Sequence, residues 1–104
     1  MMKLFKALFG MGESPDYSEL VKNGGVIVDV RTKSEFLSGH IKGSKNIPLN
    51  SLGSNLKQIK NKDLAVITCC ASGMRSASAK NLLESYGYTK VYNGGGWRSL
   101  QNKI

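Results

Sequence analysis

Val66-Ile67-Thr68-Cys69-Cys70-Ala71-Ser72-Gly73-Met74-Arg75-Ser76 is the stretch that decides the fold of this chain. The apolar, β-branched run over residues 64–68 predicts a buried strand that delivers the two cysteines. Downstream, Ala79, Leu82, Leu83 and Tyr86 recur at i, i+3, i+4 and i+7, and Gly87 supplies a C-terminal stop. Strand, tight loop and helix N-terminus therefore follow one another, with a thiol where the strand gives out. The first turn of a helix has N–H groups without intrahelical partners, and the helix dipole adds partial positive charge there. A loop whose N–H groups converge on one point cradles an anion, and Gly73 lets the backbone close tightly. The anion could be the Cys70 thiolate, a persulfide built on it, or an oxyanion substrate. Such a field, with Arg75 beside it, lowers a thiol pKa and makes a better nucleophile. The competing reading is a buried strand-end cysteine before an ordinary turn, since free cysteine is among the most buried residue types.

Upstream, Ser14-Pro15-Asp16 has a cap, a first-turn proline and an acidic residue in the order of a helix start. That helix would carry Tyr17, Leu20 and Val21 and stop near Asn23-Gly24-Gly25. Val26-Ile27-Val28-Asp29-Val30 is a near-continuous apolar run, as expected of a parallel strand covered on both faces. Asp29 is the exception, and a carboxylate there must be paired, with a loop N–H or with Arg31. Thr32-Lys33-Ser34-Glu35 is a capping box opening a short helix that Gly39 ends. His40, the single histidine, lies in a turn where a hydrogen-bonded structural role outweighs that of a base. Asn46-Ile47-Pro48 reads as a short strand stopped by proline, and residues 49–59 as a helix turning Leu52, Leu56 and Ile59 inward. Gly53 weakens that helix by about 1 kcal/mol relative to alanine. Lys90-Val91-Tyr92 is a further strand, and Gly94-Gly95-Gly96-Trp97 turns the chain into a last helical piece, with Trp97 either lining a pocket or joining the core.

A chain of 104 residues supports one core and no second. Hydrophobic content of 40% with 12 Gly and 2 Pro reads as globular. Two adjacent cysteines build no disulfide framework, which argues for a reducing, cytoplasmic compartment. No apolar run approaches the ~18 residues needed to cross a bilayer. Residues 1–13 form a short amphipathic segment in which Leu4, Phe5, Leu8 and Phe9 share one face, read as docking on the domain rather than inserting in a membrane. The formal charge of +8 comes from scattered lysines without interleaved aromatics, so it excludes a nucleic-acid interface and leaves steering of anions. Two neighbouring cysteines and one distant histidine do not have metal-ligand spacing, and no cofactor is called for.

Asp29-Val30-Arg31, Glu35-Phe36 and Gly39-His40-Ile41-Lys42-Gly43-Ser44-Lys45-Asn46-Ile47-Pro48 together resemble the signature segment of the rhodanese-like domains. Cys70-Ala71-Ser72-Gly73-Met74-Arg75-Ser76 resembles the sulfurtransferase loop of that family, and Asn93-Gly94-Gly95-Gly96-Trp97 is similar to its closing Gly-rich turn. The resemblance implies an α/β domain over residues 14–104, a doubly wound parallel sheet flanked by helices. It implies that Asp29 and Arg31 brace the loop, and that Cys70 carries a sulfane sulfur as a persulfide. Ala71, Ser72, Gly73, Met74, Arg75 and Ser76 would bind the substrate, Arg75 neutralising charge and Ser76 capping the helix. The donor would be a small anion, thiosulfate or another persulfide. The acceptor would be cyanide or a thiol, a carrier protein included. Two other classes stay open: a phosphatase or arsenate reductase, whose cysteine, five residues and arginine are matched from Cys69 rather than Cys70, and a non-catalytic binding module.

Overall fold

The computed structural model describes residues 15–104. The amphipathic segment expected over residues 1–13, and Ser14, lie outside the described residues. Helix α1 spans Tyr17–Lys22 and is capped by Asp16, whose carboxylate accepts the Glu19 N–H at 3.0 Å. The cap therefore falls two residues later than the Ser14-Pro15 signal predicts, because an aspartate serves as well as a serine there. Strand β1 is Val26–Asp29, helix α2 is Lys33–Leu37, and β2 is the two-residue strand Lys45–Asn46. The α2 capping box forms in full: Thr32 accepts the Glu35 N–H, and the Glu35 carboxylate accepts the Thr32 N–H.

The helix expected over residues 49–59 is instead two 3-10 stretches, Leu49–Ser54 and Leu56–Gln58. Gly53 sits in the first, and small polar side chains bind the backbone around it. Ser51 donates to the Pro48 carbonyl and Asn55 to the Ser51 carbonyl. Such bonds compete with helix formation. The inward residues are still those the spacing predicts, Leu52 and Ile59 buried and Leu56 partly so.

Strand β3 runs Val66–Cys70, through both cysteines rather than stopping at Thr68. Helix α3 is Met74–Ser85, strand β4 is Val91–Gly96, and helix α4 is Trp97–Gln101. Ala79 and Leu83 of α3 are buried and Leu82 packs against them, while Tyr86 stays 44% exposed. The glycine run expected as a turn is strand, with one extra β4 residue opposite β3 between Thr68 and Cys70.

The four strands are parallel in the order β2-β1-β3-β4. Alternation along them divides the core in two. Val28, Val66 and Cys70 face Ala79 and Leu83 of α3 and the 3-10 stretches. Ile27, Ile67 and Cys69 face the other way, toward Tyr17, Ile41 and Leu100. Chain connections leave β1 to one side for β2 and return to its other side for β3. The gap between β1 and β3 is the switch point where such sheets open a crevice.

Asp29 ends β1 at 0% exposure, and Arg31 beside it is 4% exposed. The Arg31 Nη2 donates to Asp29 Oδ2 at 2.7 Å and to the Gly39 carbonyl at 2.7 Å, and Nε donates to Asp29 Oδ1 at 2.9 Å. The Arg31 N–H also donates to Asp29 Oδ1, and Nη1 to the Glu35 carbonyl. Trp97 covers the guanidinium, 4.8 Å from its ring centroid, so this aromatic joins the second core layer. Removing one partner leaves the other charge buried and unpaired, which costs about 3–5 kcal/mol. Asp29→Ala should therefore remove a large part of a total stability of roughly 5–15 kcal/mol. Urea unfolding of the two proteins measures this, and a loss below about 1 kcal/mol would contradict a structural role for the pair.

Candidate active site

Cys70 stands at the carboxyl end of β3, beside the switch point. Both cysteines are free thiols, and they lie on opposite faces of the sheet, as their adjacency on a strand requires. Their chemistry diverges accordingly. Burial first, then the nearby Asp29 carboxylate, push the Cys69 thiol up to about 12, against a smaller opposing pull from Arg31. At Cys70 burial is again the largest influence and raises the pKa. Hydrogen bonding available to the thiolate, from the Ser76 side chain and N–H and from the Gly73 and Ser72 N–H groups, outweighs it, so the net shift is downward. Cys70 is the better thiolate of the two.

The loop geometry explains these bonds. Gly73 is the N-cap of α3, at a φ of 107° that side-chain-bearing residues rarely adopt. That turn brings the Gly73 N–H to 2.9 Å from Cys70 Sγ. The Ser76 N–H, third in the helix, reaches the same sulfur at 3.3 Å. No side chain caps α3. The sulfur takes the place that a capping oxygen would fill. Ser76, expected as the cap, is instead a buried residue of the first turn. Gly96 closes the loop from β4, where an added Cβ would stand 2.9 Å from the Ala71 carbonyl.

Among the expected site residues, Gly73 and Ser76 make the shortest contacts with the sulfur, and the Ser72 N–H also acts on it. Ala71 and Ser72 are exposed, and Met74 is 80% exposed. Arg75 does not hydrogen-bond the sulfur among the described residues. Its Nη1 and Nη2 donate to Glu35 Oε1 and Oε2 at 2.8 and 3.0 Å. Hydrogen bonding from Arg75, then from the Thr32 N–H, holds the Glu35 carboxyl down at about 2, so it stays charged near neutrality. This bidentate pair joins the segments that follow β1 and β3, across the switch point. Arg75 also borders a cleft of about 340 Å³ lined by Val30, Thr32, Pro48, Leu49 and Asn50.

Two residues that sequence reasoning left out of the site belong to it. Glu35 is the partner of Arg75, and its visible part in a capping box masks that second use. Asn93 accepts a hydrogen bond from the Ser76 hydroxyl at 2.6 Å. Its only signal is its position before the glycines. His40 hydrogen-bonds within its own turn: Nδ1 donates to the Phe36 carbonyl at 2.7 Å, and the ring stacks on Phe36 at 3.7 Å between centroids. No group of three or more potential metal ligands occurs among the described residues.

The chain is similar to known proteins along most of this architecture. A sequence model described as Rhodanese-like domain matches residues 14–103. An uncharacterized protein YqhL of Bacillus subtilis (strain 168) is 42% identical over 82 residues, 75% of this chain and 62% of that protein, so the chain spans less than two thirds of that relative. The thiosulfate sulfurtransferase PspE of Escherichia coli (strain K12) is 32% identical over 74 residues, covering 70% of this chain and 71% of PspE. A solved rhodanese from E. coli with anions superposes with a TM-score of 0.70 at 31% identity, over 73% of this chain and 91% of that one. With a parallel four-stranded sheet, a cysteine at the end of its third strand and this match in sequence and shape, the chain belongs to the rhodanese-like domain family.

Proposed function

We propose that this protein is a sulfurtransferase that carries a sulfane sulfur on Cys70, from a small anionic donor such as thiosulfate to a thiol or cyanide. The observation that carries this reading is the Cys70 sulfur itself, which accepts two helix-start N–H groups and has a lowered pKa. The thiolate attacks the outer sulfur of thiosulfate. A bond from Cys70 Sγ to that sulfur forms, the sulfur–sulfur bond of the donor breaks, and sulfite leaves with the electron pair. The acceptor then attacks the outer sulfur of the persulfide, and the Cys70 thiolate returns. Charge is conserved in each half, and no cofactor takes part.

The loop N–H groups from Ala71 to Ser76 would stabilise the persulfide anion, and Arg75 would meet the donor from the cleft side. The excess of basic residues steers such donors toward the protein. A thiol carrier protein would approach over the exposed Ala71, Ser72 and Met74. Free thiols suit a cytoplasmic setting. Among the described residues no helix is long and apolar enough to cross a membrane. Against the phosphatase alternative, the longer loop would have to be counted from Cys69, whose side chain packs on the opposite face and whose pKa is pushed up to about 12. Against a binding module, the cysteine is present.

Thiosulfate should leave the protein heavier by one sulfur atom in intact-mass analysis, and cyanide should remove it. Cys70→Ser should abolish transfer from thiosulfate to cyanide, and Cys69→Ala should keep most of it. A dead Cys69→Ala with an active Cys70→Ser reverses the assignment. Alkylation against pH separates the thiols independently. A lowered pKa means Cys70 becomes reactive first as pH rises, while Cys69 stays unlabelled until pH nears about 12 or the chain unfolds. Equal labelling of both cysteines in the native chain at neutral pH would contradict this. Arg75→Ala should raise KM for thiosulfate by about tenfold, since a charge-assisted hydrogen bond is worth roughly 1.5–3 kcal/mol. Glu35→Gln, which preserves the capping box, should free Arg75 and lower KM severalfold. An unchanged KM in both variants would remove Arg75 from donor recognition.

A further inference from the structure

We propose that Asn93 is a positioning residue for this site: its side-chain oxygen holds the Ser76 hydroxyl proton while Cys70 is a thiol, and yields that hydroxyl to sulfur when Cys70 is a thiolate. This deepens the sulfurtransferase reading and rests on Cys70 being the reacting thiol. The geometry starts with Ser76, buried at 0% exposure, whose Oγ lies 3.5 Å from Cys70 Sγ, 2.6 Å from Asn93 Oδ1 and 3.1 Å from the Gly73 carbonyl. A hydroxyl has one proton for these three neighbours.

Proton bookkeeping at the neighbours decides where that proton goes. The Gly73 carbonyl already accepts the Ala77 N–H at 3.1 Å and the Asn93 Nδ2 at 3.3 Å, which fills its two lone pairs. The orientation of the Asn93 amide is set from both ends, because Oδ1 also accepts the Gly95 N–H at 2.9 Å. The Ser76 proton therefore belongs to Asn93 Oδ1, the nearest acceptor, and a Ser76 lone pair is left to accept the Cys70 S–H. That arrangement suits a thiol. It opposes a thiolate, which would face an oxygen lone pair. When the Cys70 proton departs to solvent, the Ser76 hydroxyl must rotate from Asn93 to sulfur, and no proton crosses between Ser76 and Asn93. The charged and titratable groups acting around Cys70 are Cys69 on β3, Arg75 on α3 with its Glu35 partner on α2, and, beyond Cys69, Asp29 at the end of β1 and Arg31 just after it. None of them touches the Ser76 hydroxyl.

Competition of this kind has a sign that packing alone does not have. Asn93→Leu keeps the shape and removes the nearer acceptor; the Gly73 carbonyl, 3.1 Å from Ser76 Oγ and still bonded to the Ala77 N–H, competes less well with a thiolate, so the Cys70 pKa should fall by up to roughly one unit, the equivalent of one net hydrogen bond. Ser76→Ala should raise it. In the Ser76→Ala background, Asn93→Leu should produce no further shift. The readout is alkylation rate against pH, with the adduct located on Cys70 by peptide mass. It needs no sulfur donor, so failure of the sulfurtransferase assay leaves it interpretable. Asn93→Ala, which cannot crowd the site, is the second variant and should shift the pKa in the same direction. A rise or no change in both Asn93 variants overturns the proposal. So does an equal shift with and without the Ser76 hydroxyl, which would show that Asn93 acts through the loop backbone.

Discussion

The Gly73 N–H to Cys70 Sγ hydrogen bond, at 2.9 Å, is the contact on which this architecture turns. It closes the three-residue loop between a strand and a helix, and it requires Gly73 in a left-handed conformation. It also sets the Ser76 N–H on the same atom. A helix of this length would ordinarily begin with an oxygen side chain at its cap. Here the oxygen is replaced by sulfur from the preceding strand, so that folding α3 and activating the thiol are one event. Gly96 then lets β4 approach the loop closely, and the extra residue in β4 re-aims that strand where the thiol needs cover.

Strand alternation does the rest. Two identical side chains, adjacent in sequence, acquire opposite chemistry because a parallel strand sends them to different layers. Cys69 falls beside the buried Asp29 and Arg31, where a second negative charge would be expensive. Cys70 falls at the helix N-terminus, where a negative charge is welcome. Two ion pairs near the cysteines divide the remaining work. Asp29 with Arg31 is buried and anchors the segment after β1, through the Gly39 and Glu35 carbonyls. Glu35 with Arg75 is about a third exposed and bridges that same segment to the reactive loop. Solvent screens it, so its value is geometric before it is energetic.

Much of this was legible in the residues. β1, β3, α2, α3 and the opposed cysteines follow from local patterns: β-branched runs, a capping box, an i, i+3, i+4, i+7 series and the period of a strand. What was not legible depends on contacts between distant segments. β3 continues through Cys69 and Cys70 because Asp29 and Gly96 pair with them from β1 and β4. The glycines of β4 belong to a strand despite their propensity, since tertiary packing against Ala71 leaves no room for a side chain at Gly96. The 3-10 stretches depend on Ser51 and Asn55 binding backbone carbonyls, a choice that apolar spacing does not record. Glu35 with Arg75, and Ser76 with Asn93, join residues that are 40 and 17 positions apart.

The depth of the thiol has a consequence for regioselectivity. Cys70 is only 1% exposed, so a molecule that meets its sulfur must be small and must arrive along a narrow path. A persulfide presents two electrophilic sulfurs, and a thiol attacking the inner one would yield a mixed disulfide with the protein and expel hydrosulfide, a futile outcome. In the proposed persulfide, the outer sulfur would itself fill the one path to Sγ and cover the inner atom. The outer sulfur, one bond further along, would be the atom left within reach, so on the proposed function steric shielding would direct attack toward transfer and away from self-inactivation.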